Sequence, residues 1–189
     1  ACGYLASVTM EVMGDLFVGA RQTMTWLATC ARLIGSQGQP VSWMTPIGVP
    51  SVQPYRQRKP YQIVTLLQTV ILSNSSENLP IHRQRQVSAF PPNYVHSLDS
   101  SHMLLTALEM EKRGLTFSAV HDSFWTHACD VDEMNGVLRD CFVDLYDQPL
   151  LEELKRTWEM RYPGLTLPDL PETGDLDLNE VRDAPYFFQ

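Results

Sequence analysis

The side chains most able to do chemistry lie in one short stretch, where His121, Asp122 and Ser123 interrupt an apolar run. The apolar residues end at Val120 and resume at Phe124, a pattern typical of two short strands that meet at a tight bend. Such a bend would expose the Asp122 carboxylate at the edge of a packed sheet, where a carboxylate can bind a divalent cation. An acid at a bend is equally typical of an ordinary turn, because Asp hydrogen-bonds its own backbone there.

Other arrangements of reactive residues fit known kinds of site poorly. The His-Asp-Ser triplet cannot act as a hydrolase triad, because neighbouring strand residues point to opposite faces of a sheet. His127, Cys129 and Cys141 do not have the spacing of a closed four-ligand zinc site. The cysteines of the chain include no C-x-x-C pair, and we predict that they are free thiols in a reducing compartment.

Helices that follow the bend are expected to hold it in place. The clearest helical pattern covers residues 130–148, with Asp130 as the N-cap and apolar residues on one face, and we expect it to pack on the hairpin. Residues 150–162 predict a second amphipathic helix. The tail beyond it is predicted to be rich in loops, with a short helix near residues 178–182 and a docked aromatic end.

The segment before the bend is predicted to be extended first and helical afterwards. Pro91 and Pro92 disfavour helical dihedral angles in the residues that precede them, so residues 90–94 are predicted to be extended. A helix is then expected from about Ser100 to Arg113, ended by the glycine that follows. His96 would lie at or before the first turn of this helix.

The first part of the chain predicts helix followed by strands. Apolar residues at spacings of three and four over residues 3–34 indicate one or two helices whose apolar stripe belongs to a core. Residues 41–46 are predicted to form a strand that runs into a turn, and residues 63–72 another strand. Residues 73–78 are predicted to be a surface loop and the best candidate for a mobile tip.

Charge is distributed unevenly along the chain. The formal net charge of −8 argues at first against a nucleic-acid partner, because phosphate binding draws mainly on Lys and Arg. Residues 1–98 nevertheless carry seven Lys/Arg and three Asp/Glu, whereas residues 120–189 carry five and sixteen. Arg83 and Arg85 are equally compatible with phosphate contacts and with solvated loop charges. The acidic end is predicted to be mainly solvated surface.

Two observations concern the context of the chain. Charged residues interrupt its most hydrophobic segment, so a membrane-spanning helix is not expected. The sequence starts at Ala1 without an initiator Met or a basic presequence, from which we expect a fragment of a longer protein.

Three blocks in series resemble the single-subunit, phage-type RNA polymerases, and the mitochondrial members of that family most of all. The first block, Val41-Ser42-Trp43-Met44-Thr45-Pro46, is similar to a segment of the fingers. The second, Pro92-Asn93-Tyr94-Val95-His96-Ser97 with Asp99 and His102, is similar to the block ahead of the palm hairpin. The third, His121-Asp122-Ser123-Phe124, is similar to the carboxylate hairpin itself, and the aromatic C-terminus has the character found in these enzymes.

The resemblance implies an α+β fold and a fragment of a right-hand polymerase. A palm β-hairpin would pack on helices, and a mostly helical fingers segment would precede it. Residues 1–90 are expected to belong to the fingers, and residues 91–189 to form the C-terminal palm portion with a docked C-terminal tail.

The resemblance also implies DNA-directed RNA polymerase activity, in which two Mg²⁺ ions held by two palm aspartates stabilise both ends of an in-line displacement. Asp122 matches one of these aspartates, so it is the expected catalytic residue and metal ligand. His96 matches the residue that reads the ribose 2′-hydroxyl of the substrate. His121, Tyr94 and Gln189 are expected to support the site. No match to the second aspartate or to the nucleotide-binding helix occurs, so the fragment alone is expected to be inactive.

The partners implied by the resemblance are a DNA template, an RNA transcript, ribonucleoside triphosphates and mitochondrial transcription factors, with no membrane. The implied location is the mitochondrial matrix. Two alternatives remain open at this point. One is the palm of a DNA polymerase with a similar hairpin, and the other is a non-catalytic nucleic-acid-binding module that has the palm shape.

Overall fold

A computed structural model describes residues 2–57, 60–73 and 79–187. Helices and three antiparallel strand pairs make up this part of the chain, which confirms the predicted α+β fold. The elements in chain order are α1 (Cys2–Leu16), α2 (Val18–Ser36), β1 (Ser42–Met44), β2 (Pro50–Val52), β3 (Pro60–Val64), β4 (Thr69–Ser73), α3 (Arg83–Lys112), β5 (Ser118–Val120), β6 (Ser123–Trp125), α4 (Val131–Tyr146), α5 (Leu150–Arg161) and α6 (Glu180–Asp183). A 3₁₀ turn over Ala128–Asp130 leads into α4.

The first two helices confirm the helical prediction for residues 3–34, but their apolar residues do not all enter a core. In α2, Leu27, Ala31 and Ile34 are buried at helical spacing. In α1, by contrast, Tyr4 and Leu16 are 73% and 71% exposed. The prediction of a continuous core stripe is therefore wrong for α1, whose apolar residues Tyr4, Leu5, Val12 and Leu16 are all exposed.

The segment around Pro91 and Pro92 is helical, so the prediction of an extended chain over residues 90–94 is wrong. The helix α3 runs through both prolines. A proline inside a helix removes a backbone hydrogen bond and costs about 3 kcal/mol. The sequence prediction rested on a second local effect, the dihedral preference of the residues that precede each proline, and tertiary packing offsets both.

Burial along one face of α3 supplies that packing. Phe90, Tyr94 and Leu98 recur every fourth residue and are all buried, and a helix is the conformation that places such residues on one face. Full burial of each large apolar side chain stabilises the fold by roughly 1.5–3 kcal/mol. The helix consequently begins at Arg83 and not near Ser100, which puts His96 in its middle.

The main core lies between α2, α3 and α5. Trp158 of α5 packs 6.3 Å from Trp26 and 5.4 Å from Phe90, measured between ring centroids, and Trp43 of β1 lies 5.4 Å from Phe90. The Trp158 indole N–H donates to the Ser42 carbonyl at 2.8 Å. Four large aromatic side chains thus fix α3 against its neighbours, as their burial and preferred edge or offset contacts favour.

The strands differ in how well the sequence predicted them. Residues 41–46 contain β1, which pairs with β2 through a turn at Gly48, as predicted. Residues 63–72 are not one strand, because β3 and β4 form a hairpin whose turn joins Thr65 to Gln68 by a backbone hydrogen bond of 2.9 Å. The predicted mobile loop at residues 73–78 lies almost entirely outside the described residues.

The C-terminal half follows the prediction closely. The helices predicted over residues 130–148 and 150–162 are α4 and α5, and the short helix predicted near residues 178–182 is α6. Asp130 occupies the N-cap position of α4 but makes no side-chain capping hydrogen bond. In the part of the chain that the structure describes, no helix is both long and apolar enough to cross a bilayer.

Candidate active site

The predicted bend is a two-residue hairpin turn. Strands β5 and β6 pair antiparallel with Val120 opposite Ser123, which leaves His121 and Asp122 as the turn. His121 has a φ of 55°, the positive value that the tight turns of twisted hairpins require. The Asp122 side chain is exposed at the tip. The structure therefore confirms that two short strands present this carboxylate at a bend.

An apolar cluster formed with α3 and α4 supports the hairpin. Phe124 of β6 stacks on Phe117 at 5.9 Å and packs against the buried Met110, Val137 and Leu138. These residues come from α3 and α4, which confirms that α4 packs on the hairpin. Because neighbouring strand residues face opposite sides, anchoring Phe124 fixes the direction in which the bend projects.

The hairpin tip and α3 enclose one groove of about 570 Å³. His121 and Asp122 line it from the hairpin. Residues of α3 at helical spacing line it from the helix: His96, Asp99, Ser100 and Met103. The two residues expected to act on substrate, Asp122 and His96, therefore share this groove.

His96 projects from the middle of a rigid helix and is exposed. Its backbone carbonyl accepts a hydrogen bond of 2.9 Å from the Ser100 hydroxyl, while its imidazole lines the groove. Buried neighbours on both sides, Tyr94 and Leu98, hold this turn of α3 against the main core. The helix thus supplies a fixed platform for an imidazole that is free to meet a ligand from solvent.

The residues expected to support the site lie in different places. His121 lines the groove and forms the hairpin turn. Tyr94 does not line the groove: it is buried, its hydroxyl donates to the Leu150 carbonyl at 3.4 Å, and burial raises its pKa. Its contacts belong to the packing of α3 on α5. Gln189 lies outside the described residues.

Asp99 belongs to the sequence block ahead of the hairpin, but sequence reasoning assigned it no role at the site. Asp99 follows His96 by one helical turn and lines the same groove as Asp122. The spacing is visible in the sequence, but the mistaken extended segment hid the fact that both residues share one face of a helix.

His102, one helical turn beyond Asp99 on α3, packs inside the protein. Its ring is buried, and Nε2 donates to the Leu138 carbonyl of α4 at 2.8 Å. The ring also meets Phe142 edge-on at 5.7 Å and Phe124 at 6.3 Å. Burial lowers the pKa of this imidazole, partly opposed by the hydrogen bond to Leu138 and the charge of Asp99. His102 therefore joins α3, α4 and the hairpin.

The donor set of the groove fits a hard divalent cation only in part. Carboxylate oxygens are the ligands that Mg²⁺ prefers, and both Asp122 and Asp99 are exposed at the groove. Within residues 2–57, 60–73 and 79–187, no group of three or more His, Cys, Asp or Glu side chains could hold a metal ion. Asp122 thus fits as one ligand of a site that needs others from elsewhere.

Comparison with known proteins gives a consistent result. A family model described as "DNA-dependent RNA polymerase" matches residues 1–166. The chain is 52% identical over 185 residues to "DNA-directed RNA polymerase 3, chloroplastic" of Nicotiana sylvestris, covering 98% of this chain and 19% of that protein. It is 50% identical over 188 residues to "DNA-directed RNA polymerase 1, mitochondrial" of the same species, covering 100% of this chain and 18% of that protein.

A shorter relative is as similar to this chain as the mitochondrial one is. "DNA-directed RNA polymerase 2A" of Nicotiana tabacum is 50% identical over 188 residues, which cover 100% of this chain and 56% of that protein. The chain therefore spans between about a fifth and just over half of the length of these curated relatives.

Proposed function

This chain belongs to the single-subunit, phage-type DNA-dependent RNA polymerases, and from that premise we propose that it is the C-terminal catalytic portion of an organellar DNA-directed RNA polymerase. The family match excludes the alternative of a DNA polymerase palm. We also propose that residues 1–90 belong to the fingers and residues 91–189 to the palm.

The observation that carries the proposal is the shared groove of Asp122 and His96. A nucleotidyl transferase needs a carboxylate that holds metal ions beside the reacting phosphate and a polar group that recognises the sugar. The hairpin supplies the first and α3 supplies the second, and both open into about 570 Å³ of accessible space. A scaffold that had only kept the palm shape would have no need for this pairing.

Asp122 is proposed to supply one carboxylate ligand for Mg²⁺. Two such ions, when bound, stabilise the negative charge on the attacking and leaving oxygens of an in-line displacement. The remaining ligands would come from the part of the polymerase that this chain does not span. Holding the carboxylate on a two-residue turn anchored by Phe124 keeps its oxygens in place before substrate arrives.

His96 is proposed to recognise the ribose. A neutral imidazole can donate or accept a hydrogen bond, which suits a 2′-hydroxyl that is both donor and acceptor. His121, at a positive φ, is proposed to shape the turn rather than to transfer protons. Tyr94 supports the site by packing α3 in the main core.

The substrates proposed for the complete enzyme are a DNA template, an RNA transcript and ribonucleoside triphosphates. Identity does not separate the two organelles, because the chain is 52% identical to a chloroplastic relative and 50% identical to a mitochondrial one. Because the three sequence blocks most resemble mitochondrial members of the family, the proposed location is the mitochondrial matrix, with mitochondrial transcription factors as partners. Import of the full-length precursor into isolated mitochondria, with chloroplasts as the matched comparison, tests this location.

The activity is tested with the full-length polymerase that contains this chain. An RNA primer annealed to a DNA template, four ribonucleoside triphosphates and Mg²⁺ should give a templated RNA product, and chelation of Mg²⁺ should stop it. A protein that binds the primed template but adds no nucleotide would support the non-catalytic alternative and overturn the proposal.

A further inference from the structure

The side chain of Arg139 in α4 binds backbone carbonyls of the C-terminal tail. Its Nη1 donates to the carbonyl of Val181 at 2.6 Å and to that of Ala184 at 2.7 Å, with a longer contact of 3.4 Å to Arg182. These carbonyls lie at the end of the short helix α6, where backbone oxygens lack intrahelical partners. Its Nε donates to Asn135 one turn earlier, which fixes the direction of the guanidinium.

The same guanidinium meets Phe187, the last described residue. The Arg139 Cζ lies 5.4 Å from the centre of the Phe187 ring. Phe187 in turn meets Phe142 edge-on, with ring centres 5.1 Å apart. Arg139 therefore contacts the tail at two points, the backbone at the end of α6 and the aromatic ring of Phe187.

The insertion point is the cluster that supports the hairpin. Phe142 meets the His102 ring at 5.7 Å, and His102 meets Phe124 of β6 at 6.3 Å. Phe187 also packs on the buried Met110–Val137 cluster that Phe124 covers from the hairpin side. A continuous series of ring contacts thus runs from the tail to the strand that follows Asp122.

We propose that Arg139 is a positioning residue for nucleotide addition: it secures the tail so that Phe187 completes the aromatic support beneath the β5–β6 hairpin and fixes the Asp122 carboxylate. The inference rests on the proposed function of Asp122. Loss of Arg139 leaves the Val181 and Ala184 carbonyls without this donor and removes the guanidinium from the Phe187 ring. The ion pairs of Arg182 with Asp140 and Asp144 still hold α6 on α4, so the change is a looser contact between Phe187 and Phe142. The hairpin remains paired, but its tip has more freedom, and small displacements of a catalytic group reduce rates strongly.

The test is a double-mutant cycle in the full-length polymerase. Arg139→Met, Phe187→Ala and the double variant are compared with wild type by the rate constant of single-nucleotide addition per competent elongation complex. Each single variant should slow addition by about tenfold or more, and the apparent nucleotide affinity should change by no more than about twofold. The double variant should be no slower than the slower single variant, because both act through one contact.

Two further variants keep the test interpretable. Arg139→Lys retains the charge but lacks the planar fork, so its rate should fall between those of wild type and Arg139→Met. If Arg139→Met fails to fold, the rate measured for Arg139→Lys tests the proposal in its place. Arg113→Gln removes the same charge from the end of α3, where Arg113 pairs with Glu109 and Glu133 away from the tail, and should keep the wild-type rate.

Three results would overturn the inference: a wild-type rate for Arg139→Met, a defect confined to nucleotide affinity, or rate losses that multiply in the double variant. Asp122→Asn is measured in the same assay. If that variant extends RNA normally, the proposed function fails; if it is inactive while Arg139→Met and Phe187→Ala behave as wild type, only the role of Arg139 is wrong.

Discussion

Asp122 at the tip of the β5–β6 turn and His96 in the middle of α3 line the same groove, although the sequence separates them by the rest of that helix and a strand. The relationship depends on α3 being continuous through Pro91 and Pro92. A helix that began near Ser100 would leave His96 on a flexible lead-in segment. The groove is therefore a product of the main core, which holds α3 in helical form.

His96→Ala should weaken the discrimination between ribonucleotides and deoxyribonucleotides. Loss of one hydrogen bond to a substrate hydroxyl is worth about 1–3 kcal/mol, so the preference for ribonucleotides should fall by roughly five- to 150-fold. The measurement is the ratio of kcat/KM for a matched ribonucleotide and deoxyribonucleotide in the full-length enzyme. His127→Ala, an exposed histidine that does not line the groove, is the matched control. An unchanged ratio would show that His96 does not recognise the ribose.

His121 should tolerate residues that accept a positive φ, whatever their acid–base chemistry. His121→Asn should keep most of the extension rate because Asn readily adopts the left-handed conformation, whereas His121→Val should lose most of it. The extension rate of the full-length enzyme checks both variants. If His121→Asn is as inactive as His121→Val, the imidazole itself is required and the turn-shaping role is wrong.

His102 should make the packing of α3 on α4 depend on pH. Burial lowers its pKa, so the unfolded chain takes up a proton at a higher pH, near 6.5, than the folded chain does. The contribution of neutral His102 to stability is therefore complete above about pH 6.5 and declines as pH falls toward the lowered pKa. Hydrogen exchange of α4, corrected for intrinsic rates, should accelerate over this range by at most about tenfold per pH unit.

The matched variant for this prediction is His102→Gln, whose amide nitrogen can replace the Nε2 donor to Leu138 but does not titrate. Its exchange should lack the acceleration that appears in wild type below pH 6.5. An identical pH profile in both proteins would show that another group causes the effect.

Much of the C-terminal half could be predicted from the sequence, because its signals are local. Apolar residues of α4 repeat at helical spacing, and the strands beside Asp122 alternate across a two-residue turn. The position of Asp122 at an exposed tip followed from these patterns alone. Its assignment to metal binding followed from the resemblance, because a bare His-Asp pair is also an ordinary turn.

The continuity of α3 could not be predicted in the same way. Local dihedral preferences at Pro91 favour extended chain, while the opposing contribution comes from Trp43 and Trp158, which are distant in sequence. The tail contact of Arg139 is equally non-local, since it joins α4 to Val181 and Ala184. The site therefore depends on tertiary packing at the points where sequence reasoning failed or was silent.

The most direct test of the central claim is single-nucleotide addition by Asp122→Asn in the full-length polymerase. The substitution keeps the size of the side chain and removes the negative charge that a divalent cation needs. Asp175→Asn, a neutralised exposed carboxylate away from the groove, is the control. We predict that Asp122→Asn binds the primed template as wild type does but adds no measurable nucleotide, while Asp175→Asn extends normally. Extension by Asp122→Asn at the rate of the control would contradict the account.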